Sequence, residues 1–170
     1  GSFIFSLTTG YILFFFNADY LNFKLNLWFI ILIISLISQC GDLIISYLEP
    51  LGFTCTKLDF GQGNEKVENL YARLGSLEPN ICFAGHVDVV PTGDEQSWSI
   101  DPFGGEIKKG KIWGRGAADM KSGIAAFIAA VSEFMEINKN LKDYGSISFI
   151  ITSDEEGKAI NGTKKVVEWL

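Results

Sequence analysis

"NICFAGHVDVVP", residues 80–91, is the stretch on which the reading of the chain turns. Asn80 to Gly85 form a short apolar run closed by a glycine. A run of this length between turn residues predicts a buried strand. His86, the single histidine of the 170 residues, follows at once, and Asp88 stands two residues further on. The pattern returns at "SISFIIT", residues 146–152, which predicts a second buried strand ahead of Glu155 and Glu156. Between the two lies the clearest helix signal. Met120, Ile124, Phe127, Ile128, Val131, Phe134 and Met135 fall on one arc of roughly 120° at helical spacing. Alanines 125, 126, 129 and 130 occupy the other side and would allow close approach to a neighbour. Strand, helix and strand in succession predict an α/β fold: a mixed, mostly parallel sheet with helices on both faces.

The flanking segments extend this pattern. "DLIISYLEPLGF", residues 42–53, carries helical spacing that stops at Pro50 and Gly52. "FTCTKLDF", 53–60, alternates as a strand does; "GQGNEKVEN", 61–69, reads as a polar loop; "LYARLG", 70–75, reads as another strand. Residues 91–116 are rich in glycine and proline and predict a long loop with a small hairpin around "IKKGKIWG". "GTKKVVEWL" begins a last helix.

Residues 1–39 have a different texture, rich in Phe, Ile, Leu and Asn. Their apolar run Leu25–Ile37 is broken only by Asn26 and Ser35 and falls short of the ~20 residues that span a bilayer. Three readings stand: a buried helix, a membrane anchor or signal-like segment, or sequence foreign to the domain. The expected division is therefore an atypical apolar segment, 1–39, and one domain, 40–170. The net charge of −6, with no basic cluster, argues against a nucleic-acid partner. Three cysteines without a C-x-x-C pair are expected as buried free thiols of a reducing compartment.

The chemistry collects at equivalent places. His86 and Asp88 follow one predicted strand, Glu155 and Glu156 follow another, and Asp119 opens the long helix. Ligands of open α/β sheets bind beyond the carboxyl ends of the strands. Four carboxylates meeting there repel one another unless they take up protons or a cation compensates. A histidine with carboxylates suits zinc, and also cobalt or manganese. Asp119 has two oxygens and could bridge two ions. Asp88 could orient the imidazole. Glu155 and Glu156 are adjacent and point apart, so one can bind metal while the other serves as a general base. Each residue alone has a plainer reading: Asp119 as a helix N-cap, Glu155-Glu156 as a solvated turn, His86 as an isolated polar side chain.

"GHVDVVPTGD", "WSIDPF", "GKIWGRGAADMKSG" and "SFIITSDEEG", in this order, resemble the metal-site motifs of the M20 family of zinc metallopeptidases. The likeness runs from about residue 41 to 170. It implies a zinc-dependent exopeptidase-like fold. It implies that His86 is a terminal ligand of a first zinc, Asp119 a bridging ligand and Glu156 a ligand of a second zinc. Glu155 is implied as the general base, and Asp88 as the catalytic carboxylate that orients His86. Two Zn2+ per complete site, or Co2+, are the implied cofactors, and a cis peptide is implied at Asp119–Met120.

"DEEGKAINGTKKVVEWL" narrows the likeness to a bacterial branch. That branch implies a cytoplasmic enzyme and hydrolysis of N-succinyl-L,L-2,6-diaminopimelate in lysine and peptidoglycan-precursor supply. An aminoacylase or carboxypeptidase of the same family is the neighbouring alternative. Family chains are longer. They carry a further ligand for each zinc beyond the equivalent of Leu170, and a lid domain through which they form homodimers. The expectation is therefore the N-terminal part of a catalytic domain, either a piece of a working enzyme or an inactive truncated fragment. Residues 1–39 gain nothing from the resemblance.

Overall fold

The computed structural model describes residues 40–170. The readings made for residues 1–39 lie outside the described residues.

The first helix, α1 (Cys40–Leu48), presents Ile44 and Leu48 to the core, both fully buried. It stops where the sequence predicts. Pro50 lies in a tight turn, Glu49–Leu51, and Gly52 closes that turn with φ 91°, a left-handed conformation that glycine adopts without a Cβ penalty. The chain then forms β1 (Thr54–Phe60) and β2 (Val67–Leu74), paired antiparallel across a short connection. β3 (Asn80–His86) follows, then the long loop with its hairpin, β4 (Glu106–Lys108) and β5 (Lys111–Trp113). The long helix α2 (Ser122–Ile137) leads to β6 (Ser146–Thr152), and α3 (Thr163–Trp169) ends the order.

The main sheet has the order β1-β2-β6-β3. β6 is one of its two inner strands, and every residue of the strand is buried. Phe149, at 0% exposure, contacts Phe53 and Phe127 edge to face, with centroids 5.5 and 5.1 Å away. Phe83 of β3 stacks on Phe127 of α2 at 4.7 Å. These rings join both strands to the helix through Ile124, Ala125, Ile128 and Val131, all in the same core.

The mixed α/β class stands, but the balance within the described sheet differs from "mostly parallel". Only β3–β6 is parallel; β1–β2 and β2–β6 are antiparallel. Connection length accounts for two of the three pairings: a short link permits the β1–β2 hairpin, whereas the parallel β3–β6 pair needs a crossover, here the segment containing α2. Two further expectations change. β2 begins at Val67, so Val67–Asn69 belong to a strand and not to the polar loop. β3 is less buried than its composition implies: Ile81 is 62% exposed and Cys82 is exposed as well. It has one neighbour in the described sheet, so its outer side is uncovered. The free thiol of Cys55 is half-buried, and burial pushes its pKa up.

Candidate metal centre

The parallel register sets the site. Asn80 pairs with Ser146 and His86 with Thr152, so β3 and β6 end side by side. The residues that follow each strand therefore emerge on one rim. Val87 N–H donates to Thr152 O at 2.9 Å and carries the register one step past the strands.

His86 is 4% exposed. Its Nδ1 lies 3.0 Å from the main-chain carbonyl of Asp88. A carbonyl only accepts, so Nδ1 carries the proton and Nε2 is turned toward the acids. Nε2 lies 3.1 Å from Asp119 Oδ1 and 3.8 Å from Glu155 Oε2. Burial pushes the imidazole pKa down. The Asp88 carbonyl and the Asp119 carboxylate together outweigh it, and the net shift is upward. A proton and a cation would thus compete for the same nitrogen.

The Asp88 carboxylate takes a different part from its carbonyl. Its Oδ2 accepts the main-chain N–H groups of Glu155 and Glu156, at 3.0 and 2.9 Å. Its Oδ1 stands 3.6 Å from His86 Nδ1 and finds no hydrogen-bond partner among the described residues, although it is buried. Asp88 therefore ties the histidine-bearing segment to the glutamate-bearing one, with both its carbonyl and its side chain.

Asp119 does not cap a helix. It sits in a kinked turn, Ala117–Lys121, with φ −120° and ψ 101°, and α2 starts three residues later without a side-chain cap. The peptide to Met120 is cis. The carboxylate bonds His86 and is otherwise largely exposed. The loop between His86 and Asp119 is fastened at its middle. Trp98 Nε1 donates to Thr92 O at 3.0 Å, Arg115 Nη2 donates to Pro91 O at 3.3 Å, and the guanidinium lies 5.1 Å from the Trp98 ring centroid.

The loop after β6 is built around Asp154. Its Oδ1 accepts from Ala159 N–H at 3.0 Å, and its Oδ2 accepts from Asn161 N–H at 2.9 Å. Gly162 closes the loop, because a Cβ there would collide with the Asp154 carbonyl and stand 2.6 Å from Thr152 Oγ1. The Asn161 N–H holds the Asp154 carboxyl below its ordinary pKa. Slight burial opposes this, and the amides of Ala159, Ile160 and Lys158 reinforce it. A depressed folded-state pKa stabilises the fold above the unfolded value of about 3.9, and the contribution is lost as pH falls through the folded value. Asp154→Asn should accordingly be less stable than the parent at neutral pH. The gap should narrow below about pH 4. Urea unfolding of both proteins across that range checks it, and a gap independent of pH would contradict it.

All five predicted site residues are brought to one rim. One ligand atom each from His86, Glu155 and Glu156 lies within 4.8 Å of the others, and Asp119 joins them through its contact with His86 Nε2. One imidazole nitrogen turned toward several carboxylate oxygens fits a divalent cation of the zinc type. Asp154 was not among the predicted residues, and an aspartate in a polar turn is its only sequence signal. Arg115 and Trp98 lie in motifs whose pairing the sequence does not reveal.

The arrangement defines a mixed α/β domain with a candidate divalent-metal centre at the ends of adjacent strands. Residues 82–170 match peptidase family M20/M25/M40. The succinyl-diaminopimelate desuccinylase of Rhodospirillum centenum is 61% identical over 130 residues, which cover 76% of this chain and 33% of that protein. The enzyme of the same name from Caulobacter vibrioides is 57% identical over 124 residues, covering 72% of this chain and 29% of that one. Among solved structures, human carnosine dipeptidase 1 superposes with a TM-score of 0.64 at 28% identity, over 87% of this chain and 35% of that one. The chain belongs to peptidase family M20/M25/M40. It spans about a third of the length of the curated relatives it matches.

Proposed function

We propose that residues 40–170 form the N-terminal part of a zinc-dependent amidohydrolase. Its reaction is hydrolysis of N-succinyl-L,L-2,6-diaminopimelate to succinate and L,L-diaminopimelate. The observation that carries this reading is the buried His86, whose Nε2 faces carboxylates from two other chain segments. The 61% identity to a desuccinylase supports this choice of substrate.

His86, Asp119 and Glu156 would hold the metal, with Asp119 as the bridging group between two ions and cobalt as an acceptable substitute for zinc. The metal, when bound, would polarise the amide carbonyl and raise the acidity of the attacking water. Glu155 takes the proton from that water and returns it to the amine nitrogen as the C–N bond breaks. Water thus adds across the amide, its oxygen to the carbonyl carbon and a proton to the leaving nitrogen. Asp88 keeps the imidazole and the two glutamates in register. The substrate is a small molecule, the complete protein is a homodimer, and its place is the cytoplasm of a bacterium. No helix among the described residues is long and apolar enough to cross a membrane.

The test has two parts. The chain should take up zinc, and His86→Ala should abolish that uptake, read by titration against a chromogenic chelator. Residues 40–170 should also replace the matching third of the Rhodospirillum centenum relative and sustain succinate release. Absence of both zinc uptake and succinate release would sink the reading. Hydrolysis of dipeptides in place of the succinyl substrate would move it to the dipeptidase branch.

A further inference from the structure

Asn69 lies in β2 and belongs to none of the motifs that carry the metal centre. It is nonetheless a polar side chain at 4% exposure. Its Nδ2 faces three main-chain carbonyls: Leu58 at 3.2 Å, Val67 at 3.3 Å and Asn161 at 3.0 Å. Carbonyls only accept, so the orientation of the amide is settled, and Oδ1 is left without a partner among the described residues. A buried amide oxygen left unpaired is costly. An apolar residue at this strand position would avoid that cost, so the donations are what the residue contributes.

Two of the three acceptors are local to the β1–β2 hairpin. The third, Asn161, belongs to the loop that presents the glutamate pair. Asn161 N–H in turn donates to Asp154 Oδ2 at 2.9 Å, and Asp154 N–H donates to Thr152 Oγ1 at 3.1 Å. Asn161 Nδ2 adds a bond to Glu65 O at 3.1 Å. The loop is therefore held from both sides. Asp88 holds the amides of Glu155 and Glu156 from the segment after β3, and Asn69 holds its far end from β2.

We propose that Asn69 is a positioning residue for the Glu155–Glu156 pair, acting through Asn161 and Asp154. The inference rests on the metal reading above. It predicts that a residue touching no ligand controls how well the glutamates receive a cation. Outer partners of this kind typically change metal affinity by about 10–100-fold.

The experiment uses the 170-residue chain and zinc alone as the probe. Asn69→Leu removes the donations at similar volume. Zinc affinity, read by competition with a chelator dye, should weaken roughly tenfold or more. Amides of residues 154–162 should exchange hydrogen faster, while those of the β2–β6 ladder keep their protection. Val131→Ala, in the core on α2, serves as the control for general loss of stability. It should lower the melting temperature and leave zinc affinity unchanged. An affinity for Asn69→Leu equal to the parent's, or no weaker than that of Val131→Ala, overturns the proposal. If Asn69→Leu does not fold, Asp154→Ala cuts the same tether at a half-exposed position and must show the same weakening; unchanged affinity there overturns the proposal equally. If the parent itself takes up no zinc, the metal reading fails, and exchange at residues 154–162 alone decides whether the tether exists.

Discussion

Replacing Glu155 by glutamine is expected to leave zinc bound and to lower amide hydrolysis by about 10²–10⁴-fold, the contribution of a positioned general base. The substitution conserves shape and the main-chain N–H that bonds Asp88 Oδ2. It removes the negative charge and with it the capacity to take a proton, while the residues assigned to hold metal stay in place. Glu156 offers the contrasting case. Its N–H bonds the same oxygen and its carboxylate belongs to the same cluster, but its assigned role is to hold metal. Glu156→Gln should therefore lose zinc and hydrolysis together. Succinate release and zinc content, measured on both variants in the full-length chimera, separate the roles. If Glu155→Gln loses its metal and Glu156→Gln keeps it, the two assignments must be exchanged.

Phe149→Ala is expected to destabilise the domain by about 3–5 kcal/mol, the usual cost of deleting a buried aromatic ring. The ring is fully buried at the centre of β6. It touches Phe53, Phe83 and Phe127, so it joins the hairpin side of the sheet, strand β3 and helix α2 at one point. Little can collapse into the space, because each neighbour is fixed by its own strand or helix. Whole domains are stable by only about 5–15 kcal/mol, so the variant should unfold at a much lower urea concentration. A loss under about 1 kcal/mol would mean that the rings repack freely, contrary to the tight packing expected of a core.

Much of the fold was legible because its elements carry strong periodic or compositional signals. α1 stops just ahead of Pro50 and Gly52 as read, the hairpin β4–β5 forms around "IKKGKIWG", and α2 buries Ile124, Ile128 and Val131 from the predicted arc. What the sequence could not show is partnership. Whether β3 is covered depends on which strands lie beside it, so an apolar composition overstated the burial of Ile81 and Cys82. Asn69 looked like loop because it is polar. Its side-chain N–H groups are satisfied by main-chain carbonyls, and no hydropathy pattern encodes that. The site itself was legible as a set of residues, since His86, Asp119, Glu155 and Glu156 stand after predicted strands or before a predicted helix. The double use of Asp88 was not, because it depends on the register that sets β3 beside β6.

That register also bears on the order in which the chain can acquire its chemistry. The β1–β2 hairpin joins residues close in sequence and can form early. The β3–β6 pairing must wait until the long loop and α2 have been traversed, and such distant pairings are the slow ones in folding. His86, Asp119 and the two glutamates meet only at that closure. Until then the acids stand apart along an open chain, without the crowding of like charge that favours a cation. The cluster of the candidate metal centre thus forms only once β6 has paired with β3, and a chain whose β6 is still in its ribosome holds these residues apart.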